Sequence, residues 1–282
     1  MGGARVTPLF EVRGLHLSLP NLNEKPLFGP APRVHILRGL DLDLPEGQVT
    51  GIVGESGSGK STLGRCLIRL LEPTGGSVTF AGTDITHLGP QALRPFRRDL
   101  QMIFQDPMSS LNPRHRIRDI IAGPLRVNGV ENADARALDA LDRVQLGRRF
   151  ADRYPHQLSG GQRQRVGIAR GIALGPRFIL ADEIVSGLDV STQAQIIALL
   201  EELVADMNLT MAFISHDLSV IRRLCQRVIV MKAGEIVEAG ETAQVFAAPQ
   251  HPYTAELKSA IPLPEIDDSW LHDRPREAGD VQ

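Results

Sequence analysis

QVTGIV (Gln48–Val53), followed at once by GESGSGKST (Gly54–Thr62), decides the fold of this chain. The first string is a short apolar run with the pattern of a buried strand, and it leads straight into a glycine. The second matches G-x-x-x-x-G-K-[ST]. Beyond it, Leu63, Leu67 and Leu70 recur at helical spacing, predicting a helix over Thr62–Leu71. A strand, a glycine loop and a helix in that order make an anion cradle. Glycines let the backbone curl so that successive N–H groups point inward, and the helix contributes its positive N-terminal end. A Gly/Ser-rich surface turn is the plainer reading, but it requires neither the flanking strand nor the flanking helix.

In such a loop Lys60 reaches the β- and γ-phosphates of a nucleotide and the Ser61 hydroxyl is placed to ligate Mg²⁺. Asp182 closes the apolar run Phe178–Ala181, so its carboxylate emerges at the end of a buried strand, where an acid beside Mg²⁺ is needed. Glu183, next to it, is placed to orient and polarise an attacking water. Gln105 ends the apolar run Leu100–Phe104, and a neutral amide there can touch water and metal without adding charge. His216 follows the strand-like run Thr210–Ser215, and its imidazole N–H can hold a γ-phosphate. Read alone, each of the last two is an ordinary strand-end residue. LSGGQRQR (Leu158–Arg165) is a second glycine turn opening a helix. Ser159, Gly160 and Gly161 offer N–H groups and a hydroxyl to phosphate, although Ser159 alone reads as a helix N-cap. Two phosphate-cradling helix starts with only one lysine loop imply that the second serves the nucleotide of another subunit.

The rest of the sequence fills in an alternating β/α order, which predicts a parallel α/β sheet. Phe10–Leu19 and Val34–Leu44 alternate as half-buried strands around the Pro/Gly-rich loop Pro20–Pro32. Further strands are expected at Gly76–Phe80 and helices at Gln91–Asp99, Gln162–Leu174 and Gln193–Met207. Arg116–Gly160 reads as a separate helical lobe with Leu138, Leu141 and Val144 on one side. Val228–Val237 opens a hairpin-and-helix ending, and the tail from Asp267 is polar. The 31 basic and 33 acidic residues balance, so no global field points to nucleic acid. Cys66 and Cys225 lie in apolar stretches and read as buried reduced thiols, which fits a reducing compartment. No secretory h-region and no run of about 20 apolar residues is present, so work on a membrane is expected to come through partners.

Taken together, these residues resemble the ATP-binding subunit of an ABC transporter, from about Phe10 to Pro264. The resemblance implies an α/β P-loop NTPase fold: a RecA-like core, an antiparallel β subdomain and a helical signature subdomain. It places the ATPase domain at 8–247, with the helical subdomain inserted at about 115–165. A C-terminal extension with a polar tail follows at 248–282. It makes Gly54, Glu55, Ser56, Gly57, Ser58, Gly59, Lys60, Ser61 and Thr62 the Walker A loop and Gln105 the Q-loop, all binding ATP. Asp182 becomes the Walker B acid, holding Mg²⁺ with Ser61 and Gln105. Glu183 is the catalytic base, His216 the switch histidine and Ser186–Asp189 the D-loop, with Asp189 at its end. Lys60, Glu183 and His216 carry the catalysis. In this family two subunits meet head to tail, so Ser159, Gly160, Gly161 and Gln162 act in trans on ATP held by the partner's loop.

FRRDLQMIFQDPMSSLNPR (Phe96–Arg114) and QHPYTAELKSAIPLP (Gln250–Pro264) resemble the dipeptide/oligopeptide/nickel importer group more narrowly. This implies a peripheral subunit on the cytoplasmic face of a bacterial inner membrane. It would work with a second ATPase subunit, a paralogue or itself. Two membrane-spanning permease subunits and, indirectly, an extracytoplasmic solute-binding protein complete the set. Three departures stand out. Ile184 follows the base where the group has Pro or a small residue. The clustered C-terminal cysteines linked to an iron–sulfur site in many members are lacking, so no cluster is expected. Phe28 and His35 both qualify as the aromatic that stacks on adenine. The competing class is a soluble ABC-type ATPase not coupled to transport; those carry fused ATPase domains or a coiled-coil insert, which this sequence lacks. A non-catalytic scaffold would have lost Glu183 or His216, and an exporter ATPase is normally fused to membrane helices.

Overall fold

A computed structural model of the chain describes residues 8–21, 29 and 31–259. The first half runs β1 (Pro8–Pro20), β2 (Arg33–Pro45), β3 (Val49–Val53), α1 (Lys60–Leu67), β4 (Gly75–Phe80), β5 (Thr83–Asp84), α2 (Pro90–Leu93), α3 (Phe96–Asp99), β6 (Leu100–Ile103) and α4 (Pro107–Ser110). Helices α5 (Ile117–Val127), α6 (Ala133–Arg143) and α7 (Gly160–Ile172) follow, then β7 (Phe178–Asp182), α8 (Val190–Met207), β8 (Thr210–Ile214) and α9 (Leu218–Leu224). The chain continues with β9 (Arg227–Lys232), β10 (Glu235–Glu241), α10 (Thr242–Ala247) and α11 (Pro252–Ser259).

The strands form two sheets. One is antiparallel, in the order β2-β1-β4-β5; the other has six strands in the order β10-β9-β3-β8-β7-β6. Within the larger sheet every pair is parallel except β9–β10. Strands β3, β7 and β8 are buried at all five positions, as parallel strands covered on both faces must be. Their side chains alternate between two cores. Phe178, Leu180, Ala212 and Ile214 join one core with α1 and the antiparallel sheet. Ile179, Ala181, Met211 and Phe213 join the other, with the helices from α5 to α10. Phe10 of β1 stacks edge-on against Phe178 at 4.7 Å and lies 5.0 Å from Phe80. Those rings bolt the antiparallel sheet onto the parallel one.

The architecture meets the expected α/β fold, with differences at the element ends. Helix α1 spans Lys60–Leu67 rather than Thr62–Leu71, because Ile68 leaves helical geometry and Arg69 turns left-handed at φ 54°. The stretch Gln91–Asp99 is two short helical turns, split at Arg94 and Pro95. In α6 the buried stripe is Ala133, Ala137, Ala140 and Leu141; Leu138 is only half-buried. Leu141 and Val144 are fully buried as expected, and Leu138 packs against the same core. Phe28, Ile261–Pro264 and the tail from Asp267 lie outside the described residues. Among the described residues no helix is long and apolar enough to cross a membrane.

Phe178 is fully buried and touches both sheets through its ring. Phe178→Ala should destabilise the chain by about 3–5 kcal/mol, read as a lower denaturant midpoint in equilibrium unfolding. A midpoint within error of the wild type would show that the two sheets are not joined there.

Candidate functional site

Strand order β3-β8-β7-β6 with all four strands parallel places their carboxyl ends side by side, the edge where open α/β sheets put their chemistry. Gly54 follows β3, Asp182 ends β7, Ser215 and His216 follow β8, and Gln105 lies just past β6. Four segments distant in sequence thus converge on one edge.

The phosphate loop depends on Gly54. Its φ is 144°, and a Cβ there would sit 2.1 Å from Met231 O, so no side chain fits. Lys60 is buried with its ammonium turned back onto the loop, donating to Gly54 O at 2.8 Å and Glu55 O at 2.7 Å. Burial lowers its pKa from the ordinary lysine value, against the opposing pull of Glu183, Asp182 and Glu55. Ser61, one residue into α1, donates to Asp182 Oδ1 at 2.8 Å. Asp182 itself is 3% exposed. Arg65, one helical turn after Ser61, approaches Asp182 Oδ2 at 3.6 Å. Sequence reasoning misses Arg65, although the i, i+4 spacing from Ser61 puts both side chains on one helix face.

Glu183 adopts left-handed backbone geometry at φ 49°, uncommon for a residue with a side chain. Its N–H still donates to Ile214 O at 3.0 Å, extending the β7–β8 pairing by one bond. Ile184, 1% exposed, joins the apolar core, while the Glu183 side chain stays partly open to solvent. Gln105 Nε2 donates to Glu183 Oε2 at 3.1 Å, and His216 Nδ1 lies 3.8 Å from Glu183 Oε1. Gln105, Glu183 and His216 therefore form one cluster beside the Lys60, Ser61 and Asp182 cluster.

The remaining site residues gather elsewhere. Ser159 caps α7: its hydroxyl accepts from Gln162 N at 3.3 Å, and Gln162 Oε1 accepts from Ser159 N at 3.0 Å. Asp189 caps α8, accepting from Thr192 N at 2.9 Å and from the Thr192 and Ser191 hydroxyls. A Cβ on Gly161 would meet Thr192 Cγ2 at 2.5 Å, so the two helix starts touch. The hollow beside them is lined by Ser159, Gly161, Gln162, Arg149, Arg165 and Thr192. No described hydrogen bond joins Ser159–Gln162 or Asp189 to Lys60, Asp182 or Glu183. Of the adenine candidates, His35 is exposed on β2 and Phe28 lies outside the described residues. Tyr253 of α11 carries no site signal of its own in the sequence, only membership of a group-specific string, yet its hydroxyl accepts from Glu55 N in the phosphate loop at 2.9 Å.

This geometry has known counterparts. The family described as ABC transporter matches residues 37–186, more than half of the chain. The chain belongs to the ABC transporter family. A second match, to the oligopeptide/dipeptide transporter C-terminal region, covers residues 237–282. A Brucella ovis protein named for peptide import ATP binding is 47% identical over 264 residues, covering 93% of this chain and 81% of the relative. The glutathione import ATP-binding protein GsiA of Escherichia coli K12 is 49% identical over 261 residues, 92% of this chain but 42% of that longer protein. Among solved structures, the ATP-binding cassette MJ0796, described as a dimer in a post-hydrolysis state bound to ADP and Pi, superposes with a TM-score of 0.72. It is 30% identical, with 83% of this chain and 98% of that chain covered. CbiO1 of Clostridium perfringens, part of a cbiONQ transporter complex, gives a TM-score of 0.73 at 27% identity over 85% and 91% of the two chains. The chain is an ATP-hydrolysing, energy-coupling subunit of an ABC importer.

The Ser191 and Thr192 donors hold the Asp189 carboxyl well below its usual value. A folded-state pKa below the unfolded one stabilises the fold above the unfolded value and loses that contribution as pH falls. Asp189→Ala should therefore lower the denaturation midpoint at pH 7, and the gap to wild type should narrow below about pH 4. A gap independent of pH would remove the charged cap.

Proposed function

We propose that this subunit powers uptake of short peptides from the cytoplasmic face of a bacterial inner membrane. In this reading it is paired head to tail with a second ATPase subunit and docked on two membrane-spanning permease subunits. An extracytoplasmic solute-binding protein delivers the cargo. The observation that carries the reading is one chain joining a phosphate-loop site to a C-terminal region of the oligopeptide/dipeptide type. Both kinds of named relative point the same way, since glutathione is itself a tripeptide. The boundary we assign puts the ATPase domain at 8–247, with about 115–165 as its helical insertion, and the importer-type extension at 248–282.

The geometry supports the following residue roles. On ATP binding, Lys60 exchanges its two carbonyl partners for the β- and γ-phosphates, while amides of the Gly54–Thr62 loop other than that of Glu55, which Tyr253 takes, cradle the same anions. Ser61 and Asp182, already joined at 2.8 Å, offer the hard oxygen donors that suit Mg²⁺, with the Gln105 amide oxygen as a third. That ion, when bound, supplies neutralisation of phosphate charge. Glu183 accepts a proton from the attacking water and holds it in line. Gln105 and His216 flank that carboxylate, and His216 reaches the γ-phosphate. Ser159–Gln162 of the partner subunit, together with its D-loop Asp189, completes the site in trans. Phe104, 43% exposed beside Gln105, lies where closure can be passed to a permease subunit.

ATP hydrolysis should be measured for the purified chain alone and with candidate membrane-spanning permease subunits. The expected result is stimulation by those subunits, lost in Lys60→Ala. Reconstituted vesicles should then accumulate labelled di- or oligopeptides. Accumulation of nickel instead would reassign the cargo, and fast hydrolysis indifferent to any membrane subunit would favour a soluble ABC-type ATPase. Glu183→Gln should cut kcat by about 10²–10⁴-fold while retaining ATP in a closed dimer seen by gel filtration. Rapid turnover by that variant would remove Glu183 as the base.

A further inference from the structure

The peptide unit joining Gly54 to Glu55 is gripped at both ends. Its carbonyl accepts from Lys60 Nζ at 2.8 Å, and its N–H donates to Tyr253 Oη at 2.9 Å. The tyrosine lies 198 residues further along the chain, on α11, and is 2% exposed. Burial raises the pKa of its phenol above the usual value, so the accepting oxygen belongs to a neutral hydroxyl.

Tyr253 is itself held in place. The Lys232 ammonium lies 4.5 Å from its ring centroid, and its own N–H donates to His251 Nδ1 at 3.1 Å. The Glu238 carboxylate accepts from Gln250 N at 2.9 Å and His251 N at 3.1 Å, tying the start of α11 to strand β10. The hairpin β9–β10 also meets the loop directly. Gly234 N donates to Ser58 O at 3.1 Å, and Met231 O fills the space a Gly54 side chain would need. Hairpin and α11 therefore close as one unit behind the phosphate loop.

We propose that Tyr253 is a positioning residue for ATP, fixing the Gly54–Glu55 peptide plane so that the C-terminal region sets the nucleotide affinity of the phosphate loop. The inference rests on reading Gly54–Thr62 as that loop. Gly54 has no side chain to resist rotation of the plane, so the restraint has to come from outside it. Lys60 cannot supply it in the bound state, because its ammonium leaves for the phosphates. Tyr253 keeps its grip throughout, and a loop held in its binding shape loses less freedom when ATP arrives.

Tyr253→Phe in the full-length chain keeps the ring under Lys232 and removes only the hydroxyl. The Kd for a fluorescent ATP analogue in Mg²⁺ buffer should rise about three- to tenfold, the scale of one neutral hydrogen bond. KM for ATP should rise in parallel while kcat stays within about twofold, the signature of lost binding rather than lost chemistry. An unchanged or tighter Kd, or a kcat that falls as far as KM rises, would overturn the proposal. A second measurement needs no variant: in nucleotide-free wild type the Glu55 amide should exchange slowly with deuterium. Exchange at the rate of a free amide would equally overturn it. A wild-type chain that binds no ATP would overturn the phosphate-loop reading and this inference together. Normal wild-type binding, lost in Lys60→Ala but untouched in Tyr253→Phe, would sink this inference alone.

Discussion

Burial of the parallel strands on both faces is the constraint from which the rest of this structure follows. β3, β7 and β8 present no exposed residue, and their alternating side chains feed two separate cores. Strands so placed cannot carry charge in their middles without an unpaired buried ion. They can carry it only where the chain leaves the sheet. Parallel pairing then aligns those exits, so the loop after β3, the acids after β7 and the histidine after β8 meet without any long-range design beyond the sheet itself. The two cores divide the labour: one fastens α1 and the antiparallel sheet, the other the helices that carry Ser159–Gln162.

Within that edge the polar groups are paired before any nucleotide arrives. Lys60 rests on two carbonyls, Ser61 on Asp182, and Gln105 on Glu183. A buried ammonium needs such partners, because desolvation alone pushes it toward the neutral form. The nearby carboxylates of Asp182 and Glu183 hold it charged, and the same carboxylates are the groups a hydrolytic site requires. Resting-state stability and catalytic placement are thus served by one set of contacts. The left-handed backbone of Glu183 belongs to the same arrangement: it lets Ile184 turn into the core while the carboxylate remains at the edge. The bulky Ile184 is accommodated by burial, with the Glu183 carboxylate still at the edge beside Gln105.

How far the sequence reveals this depends on distance along the chain. Walker A is legible because its glycines, lysine and serine are contiguous and their flanking elements follow simple periodicities. Asp182 is legible because a carboxylate ending a fully apolar run marks the point where a buried strand leaves the core. Helical spacing places Leu141 and Val144 in the core, where both are fully buried, and Leu138 packs half-buried against it; Ala133, Ala137 and Ala140, which complete the buried stripe, are too weakly hydrophobic to stand out in the sequence. Spacing makes helix α1 too long, because Leu70 continues the apolar period past the point where Arg69 turns left-handed. Contacts such as Gly161 on Thr192 or Tyr253 on Glu55 have no local signature. They arise only when two helix starts, or a C-terminal helix and an N-terminal loop, are folded against each other.

The hydrogen bonding of the Ser159 segment bears on the proposal that two chains share each site. Its Ser159 hydroxyl and Gln162 side chain satisfy each other as a capping box, and its glycine backs onto Thr192, which is tied to Asp189. What the capping leaves over is a helix N-terminus with its positive end toward solvent beside Arg149 and Arg165. The phosphate loop, by contrast, already surrounds its lysine with carbonyls and carboxylates. One surface is therefore short of negative charge and the other, once loaded with nucleotide, has it in excess. In the head-to-tail pair we propose, those surfaces would meet across the interface, whereas within one chain they sit on separate helix starts. In that proposed pair nucleotide would be the charge that joins the subunits, and its hydrolysis would remove the reason for them to stay closed.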